Sequence, residues 1–250
     1  MSTTGIAAGA ASQVANTSGQ GGAAIVLAGG SGTRIGAGRN KVYLPLADRA
    51  VITWSLRTFA GLSEIAAVVL VIRPQDREIA QQVLDREVAE GVEIVDGGST
   101  RQDSELCGLR HLAARIGDGS IDTVLVHDGA RPLVSPELVR TVLEAARECG
   151  GAVPGVPRDD LAQADVDGEH VIGPAQAGLV AVQTPQGFRA VQLLMACAEA
   201  ERQGFTGTDT ASCVERFSDV VTCWVPGDER NLKITYSHDL RIAEEVLARR

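Results

Sequence analysis

The stretch that decides the fold is Ala23–Arg34, AAIVLAGGSGTR. Six apolar residues, Ala23 to Ala28, run straight into a loop carrying Gly29, Gly30 and Gly32. A short apolar run closed by a turn reads as a strand buried on both faces. Glycines let a backbone approach a ligand closely and turn its N–H groups toward it. Such a concavity suits a polyphosphate, and Arg34 and Lys41 bring positive charge beside it. A tight turn alone would carry the same glycines. The loop is not the dinucleotide fingerprint, because Ile35 stands where that motif needs Gly or Ala. It is not a P-loop either, because no Gly-Lys-Ser/Thr follows.

Outward from this strand and loop, the chain alternates. Val51–Phe59 has helical spacing, and Ile65–Ile72 is a β-branched buried strand. Asp76–Glu90 predicts a helix, Val92–Val95 a strand, Ser104–Ile116 a helix and Thr123–His127 a strand. Ser135 then Pro136 form an N-cap and first-turn pair, opening a helix to about Cys149. Ala152–Val156 follows as a strand. Repeated strand–helix units predict an α/β fold: a doubly wound, mainly parallel, Rossmann-like sheet. Its ligands belong beyond the carboxyl ends of the strands. The rhythm breaks at 157–183, where LAQADV and EHVI flank Asp167-Gly168, a hairpin turn signal. This predicts a protruding β-hairpin arm. Beyond it come helices at Ala190–Gln203 and Thr210–Phe217, strands at Val220–Val225 and Leu232–Thr235, and a helix from about His238.

Composition bounds the function. The chain has 250 residues, 44% hydrophobic and 22% charged, with a net charge of −9. Residues 1–22 are rich in Gly, Ala, Ser and Thr, carry no charge and predict a disordered tail before a single domain at 23–250. The longest apolar run, Ile65–Ile72, is too short to span a bilayer. The acidic balance speaks against a nucleic-acid binder. Five Cys with no CxxC pair speak against a disulfide framework and predict a reducing, cytoplasmic setting. Of the 23 basic residues only Lys41 and Lys233 are Lys. Lysine persists where a compact, mobile ammonium is wanted and a planar guanidinium does not fit.

Three later segments fall at the same end of the predicted sheet. Asp96–Ser104, DGGSTRQDS, offers glycines for close approach and hydroxyls that could read a base edge, or merely cap a helix. In VHDGARP (126–132), Asp128 at a strand end is a candidate Mg²⁺ ligand, the alternative being an ion pair with Arg131. His127 reads as a packed histidine. In NLKIT (231–235), Lys233 in a strand-like segment would be costly unless it faced an anion.

AAIVLAGGSGTR…K, VDGGSTRQDS, VLVHDGARP, VQTPQGF, TDTAS and NLKIT occur in the order typical of 2-C-methyl-D-erythritol 4-phosphate cytidylyltransferases. The resemblance covers essentially residues 23–250; the sister pentitol-phosphate (ribitol 5-phosphate) cytidylyltransferases look similar too. It implies that CTP and a polyol phosphate give a CDP-polyol and pyrophosphate. It implies Arg34, Lys41 and Lys233 as catalytic cations, the latter placing the attacking phosphate. It implies Ala28, Gly29, Gly30, Ser31, Gly32, Gly97, Ser104 and Gly129 around the nucleotide, and Asp128 on Mg²⁺. Arg131, Gln176, Thr184 and Thr208 would lie toward the polyol phosphate, and the arm would cross to a second subunit in a homodimer. Three departures fall on the acceptor side. Gln176 stands where the family has an Arg, Arg158-Asp159-Asp160-Leu161-Ala162 replaces a Asp-Thr-Ile-Lys-like stretch, and Lys41-Val42-Tyr43 replaces Lys-Gln-Tyr. They leave open another polyol phosphate as acceptor, or a nucleotide-binding paralogue without activity.

Overall fold

The computed structural model describes residues 21–30, 40–88, 91–165, 167–168, 170–174 and 177–249. The expected tail (apart from its last two residues) and the expected sites at Ser31, Gly32, Arg34 and Gln176 lie outside the described residues.

Strand β1 (Gly21–Ala28) begins two residues earlier than expected and runs through the centre of the sheet. Alternation splits it between two cores: Ala24, Val26 and Ala28 enter one, Ala23, Ile25 and Leu27 the other. β4 (Ile65–Ile72) and β6 (Ile121–Asp128) flank β1, both parallel to it, and β5 (Val92–Asp96) lies parallel outside β4. Strands buried on both faces need apolar residues throughout, hence the unbroken run IAAVVLVI in β4. Helices α1 (Val51–Ala60), α2 (Arg77–Glu87) and α4 (Pro136–Cys149) cover one face. On the other lie α3 (Arg101–Gly117), α5 (Ala190–Arg202) and α6 (Thr210–Phe217). Ser135 caps α4 by accepting from Leu138 N–H, as its sequence predicts. α3 starts earlier than Ser104, because Thr100 and Asp103 form a reciprocal capping box.

The second half is less regular. β7 (Gly150–Pro157) pairs antiparallel with β10 (Val180–Val182) and with β11 (Gln186–Arg189), and parallel with β12 (Val221–Pro226). β11 also lies antiparallel against β6, so it and β10 are the two antiparallel strands in a mainly parallel sheet of order β10-β7-β11-β6-β1-β4-β5. Nothing in the period of this four-residue strand marks it. β2 (Pro45–Leu46) and β3 (Arg49–Ala50) make a small separate hairpin. β8 (Ala162–Ala164) and β9 (Val171–Pro174) form a second, off the main sheet, with Gly168 at φ +72° in its turn. Val171 and Ile172 are exposed. The expected arm ends sooner than residue 183, since β10 returns to the main sheet.

Two expectations are corrected. Leu232–Thr235 is not a strand: Ile234 N–H donates to Ala130 O, but no ladder forms. Ile234 instead packs with Leu46, Val51, Leu133 and Ala243 of α7 (Ser237–Leu247). The cysteines are not all free: Cys149 and Cys223 form a disulfide, with Cα atoms 6.3 Å apart. Antiparallel and parallel pairings through β7 bring the end of α4 beside β12, a neighbourhood that Cys spacing does not reveal.

The turn after β6 tolerates no side chain at residue 129. Gly129 N–H donates to Leu27 O at 2.9 Å, and a Cβ there would collide with Ile52 Cδ1 and stand 2.9 Å from Leu27 O. The carbonyl belongs to the central strand and cannot yield. Gly129→Ala is expected to cost about 1–3 kcal/mol, as overpacking does, read as a lower urea midpoint with unchanged slope.

Candidate active site

A cavity of about 250 Å³ opens beyond the carboxyl ends of β1, β5 and β6. Leu27, Gly29 and Gly30 come from the end of β1, and Lys41 and Val42 from the turn that follows the loop. Gly98, Ser99, Thr100, Arg101 and Ser104 come from the β5–α3 junction, Asp128 and Ala130 from the end of β6, and Lys233 from the segment before α7. Both lysines of the chain therefore line one crevice, at the place expected for an open α/β sheet. The Lys41 side is buried, at 8% exposure. Lys233 is exposed, contrary to the expectation of a buried lysine, yet it does face an anion: its Nζ lies 2.7 Å from Asp128 Oδ2.

Asp128 is the electrostatic hub. Burial alone would push its carboxyl up, but Lys233 and Arg101 hold it well below the usual carboxylate range. Arg101 Nη2 approaches Asp128 Oδ1 at 3.4 Å, and its other nitrogen contacts Glu105 and Thr210 Oγ1. Glu105 is 1% exposed, and burial, which Arg101 only partly offsets, pushes its carboxyl up to about 7. The expected alternative for Asp128, an ion pair with Arg131, does not form. Arg131 Nη1 instead donates to Asn231 O at 2.7 Å, tethering the segment that carries Lys233.

A relay of hydrogen bonds fixes Asp128 from behind. Its N–H donates to Thr184 Oγ1 at 3.0 Å, and that oxygen lies 3.2 Å from His127 Nδ1. His127 Nε2 lies 3.1 Å from Arg131 O, a carbonyl that can only accept. Nε2 therefore carries the proton, and Nδ1 accepts from the Thr184 hydroxyl. His127 is fully buried, edge-on to Phe59, and burial lowers its pKa to about 4. It is packed, as the sequence predicts, but it is also the strut behind the carboxylate. Asn40 and this strut were not legible in the sequence, since Asp76 lies 36 residues from Asn40 and Thr184 lies 57 from His127. Arg101 and Glu105 sit one turn apart on α3, but Asp128 and Thr210, which join them, come from distant segments.

The remaining expected residues divide. Gly29, Gly30 and Ser104 line the cavity. Ala28 is fully buried just below it, at the end of β1. Gly97 and Gly129 are close-packed beneath: a Cβ on Gly97 would sit 2.7 Å from Ser104 Oγ. Asp103 caps α3. Thr184 is buried in the strut. Thr208 lies in a smaller adjoining cavity with Thr206, Gly207 and Asp209, which shares Thr100 and Arg101 with the first. Arg158 is paired with Asp160 at 2.6 and 2.8 Å.

The strut sets a pH dependence. A histidine whose pKa falls from 6.5 to about 4 on folding leaves the native state with fewer protons than the unfolded chain between those values. Its contribution is complete above pH 6.5 and is lost as pH falls toward 4, amounting to about 3 kcal/mol. Asp128 adds a loss in the same direction at lower pH. The expected result is a melting temperature that drops from pH 7 to pH 4, with a shallower drop in His127→Gln, which cannot titrate.

The family model for 2-C-methyl-D-erythritol 4-phosphate cytidylyltransferase matches residues 23–249. A curated protein of that name from Geobacillus thermodenitrificans is 40% identical over 231 residues, covering 91% of this chain and 97% of the relative. Another from Trichormus variabilis is 38% identical over 226 residues, covering 89% and 96%. Among solved structures, the 4-diphosphocytidyl-2C-methyl-D-erythritol synthase of Anaerococcus prevotii superposes with a TM-score of 0.78 at 29% identity, covering 92% of this chain and 97% of that one. The cytidylyltransferase of Thermus thermophilus gives 0.69 at 31% identity, covering 92% and 100%. On a match that runs through the crevice and nearly the whole chain, this protein belongs to the 2-C-methyl-D-erythritol 4-phosphate cytidylyltransferase family.

Proposed function

We propose that this chain transfers the cytidylyl group of CTP to 2-C-methyl-D-erythritol 4-phosphate. A phosphate oxygen of the acceptor bonds to the α-phosphorus of CTP, the bond to the bridging oxygen breaks, and pyrophosphate leaves. The observation that carries the reading is the convergence of Lys41, Lys233 and Asp128 with Gly29 and Gly30 on one crevice.

A phosphate monoester is largely dianionic at neutral pH, its second pKa being about 6. No strong base is needed to activate it. The obstacle is bringing two anions together, since two unit charges at 4 Å repel by about 4 kcal/mol at an effective dielectric of 20. Cations fixed beforehand remove that penalty and favour the transition state. Lys41 and Arg34 serve at the α-phosphate. Lys233 serves at the attacking phosphate. Gly29 and Gly30 give the triphosphate backbone approach, and Ser104 and its neighbours give the base a polar wall.

A divalent metal fits the donor set. Asp128 is an ionised carboxylate at the cavity edge, and among the described residues no cluster of three metal-binding side chains stands there. One carboxylate completed by phosphate oxygens and water is the usual Mg²⁺ arrangement. When bound, such an ion would neutralise charge on the triphosphate. Asp128 would then share its oxygens between that ion and Lys233.

The acceptor side carries the alternative. Gln176 offers no charge where the family has Arg, and Arg158 is paired with Asp160. Another polyol phosphate, such as ribitol 5-phosphate, is the second reading on that ground. The hairpin β8–β9, with Val171 and Ile172 exposed, supports a homodimer in which the arm reaches a second subunit. A cytoplasmic setting follows from the nucleotide substrate, and no helix among the described residues is long and apolar enough to cross a membrane.

Pyrophosphate release from CTP against a panel of polyol phosphates tests the activity. Turnover with the methylerythritol compound is expected; turnover with ribitol 5-phosphate alone moves the assignment to the second reading, and none on any acceptor defeats both. Lys41→Arg is expected to lower kcat at least tenfold, about 1.4 kcal/mol. Sedimentation is expected to show a dimer at micromolar concentration, and deletion of Leu161–Ile172 a monomer.

A further inference from the structure

We propose that Asn40 is a positioning residue for Lys41, clamping the chain before that lysine onto the end of β1. The proposal deepens the cytidylyltransferase reading, on which the catalytic use of Lys41 rests. Asn40 is 1% exposed, and its side-chain amide spends both N–H groups. One donates to Ala28 O, the last carbonyl of β1, at 2.5 Å, and the other to Asp76 Oδ2 at 3.0 Å. Its Oδ1 accepts from Val42 N–H at 3.4 Å, capping the single 3₁₀ turn Lys41–Tyr43.

The acceptor on the far side is itself held. Asp76 is 7% exposed, and Arg73 grips both its oxygens, Nε at 2.8 Å and Nη2 at 2.8 Å. The path thus runs from the end of β4 through Arg73 and Asp76 to Asn40, and from there to Ala28 on one side and Lys41 on the other. A three-residue turn has too few internal hydrogen bonds to hold its own orientation. Here its backbone bonds are Tyr43 N–H to Asn40 O and Leu44 N–H to Lys41 O, both 3.1 Å. The direction in which Lys41 leaves the chain is therefore set by what holds Asn40.

Residue chemistry makes the position demanding. The site presents two acceptors, a carbonyl and a carboxylate, and one donor, the Val42 N–H. Asparagine matches all three. Aspartate would satisfy Val42 but set a carboxylate against Ala28 O and Asp76. Serine would keep the cap but is too short to reach both acceptors. Alanine would leave all three groups buried and short of a partner.

The chain's two lysines allow a readout independent of turnover. Trace acetylation with isotope-coded acetic anhydride, followed by peptide mass spectrometry, gives a separate rate for Lys41 and for Lys233, the latter as internal reference. In the parent, Lys41 is expected to react more slowly than the exposed Lys233. In Asn40→Ser, the Lys41 to Lys233 ratio is expected to rise at least threefold, with kcat down at least tenfold and the KM for CTP changed less. Asn40→Asp is expected to be worse than Asn40→Ser, and Asp76→Asn in that background to recover part of both readouts, because an amide at 76 can donate to a carboxylate at 40. An unchanged ratio in folded Asn40→Ser would overturn the clamp, as would a parallel rise at both lysines, which marks general loosening. If Asn40→Ser fails to fold, Asp76→Asn alone decides: the ratio must rise there too. A parent enzyme silent on every acceptor would sink the assigned reaction while leaving the labelling result to judge the clamp.

Discussion

Lys233 Nζ and Asp128 Oδ2, 2.7 Å apart, join segments 105 residues apart in sequence, and the crevice takes its shape from that contact. A chain of net charge −9 repels a nucleoside triphosphate as a whole. It can bind one only where cations are gathered and their own repulsion is restrained. Asp128 supplies the restraint, since Lys233 and Arg101 both lean on it. The carboxylate must then be rigid, and the β6 backbone, Thr184 and His127 make it so. A neutral histidine serves here because a charged one would add a buried cation beside those already collected.

The central part of the fold was legible because it is written in local signals. The unbroken apolar runs of β1 and β4, the Ser135-Pro136 start of α4 and the limits of α6 needed only neighbouring residues. Elements that depend on distant partners were not. β11 is four residues long and antiparallel, and only its position between β6 and β7 makes it a strand. Leu232–Thr235 has strand-like composition, but its one ladder-type bond, Ile234 N–H to Ala130 O, has no continuation. Its apolar residues serve the α7 contact instead. The disulfide between Cys149 and Cys223 depends on β7 and β12 lying side by side in parallel, which spacing of 74 residues cannot disclose.

The candidate site was legible to the same extent and for the same reason. Glycine loops, strand-end acids and two isolated lysines stand out along the chain, and six of the expected site residues line the cavity among the described residues: Gly29, Gly30, Lys41, Ser104, Asp128 and Lys233. Gly97 and Gly129 looked like ligand contacts, yet their lack of a side chain is spent on packing against Ser104 and Leu27. Motif position alone does not separate a glycine that admits a ligand from one that admits a neighbouring strand. The supporting groups carry no decisive local mark: Asn40 meets Asp76 from 36 residues away, and the Arg101–Glu105 pair, an ordinary i,i+4 contact on α3, gains its place only through Asp128 and Thr210.

The choice of lysine at two places in an arginine-dominated chain has a physical basis in these surroundings. Lys233 is exposed, so burial did not exclude arginine there. What distinguishes the ammonium is that it is a compact point charge on a flexible stem, able to leave Asp128 for a phosphate oxygen without breaking a two-pronged contact. Arg73 on Asp76 shows the opposite case, a fork locked onto both oxygens of a carboxylate. Arg73 on Asp76 and Arg147 on Asp122 hold the scaffold in place, and on the proposed reading the two lysines are the groups that exchange one anion for another. On the proposed reading, Gln176 in place of an arginine removes a fixed grip on the acceptor phosphate, and binding there would depend more heavily on the mobile charge of Lys233.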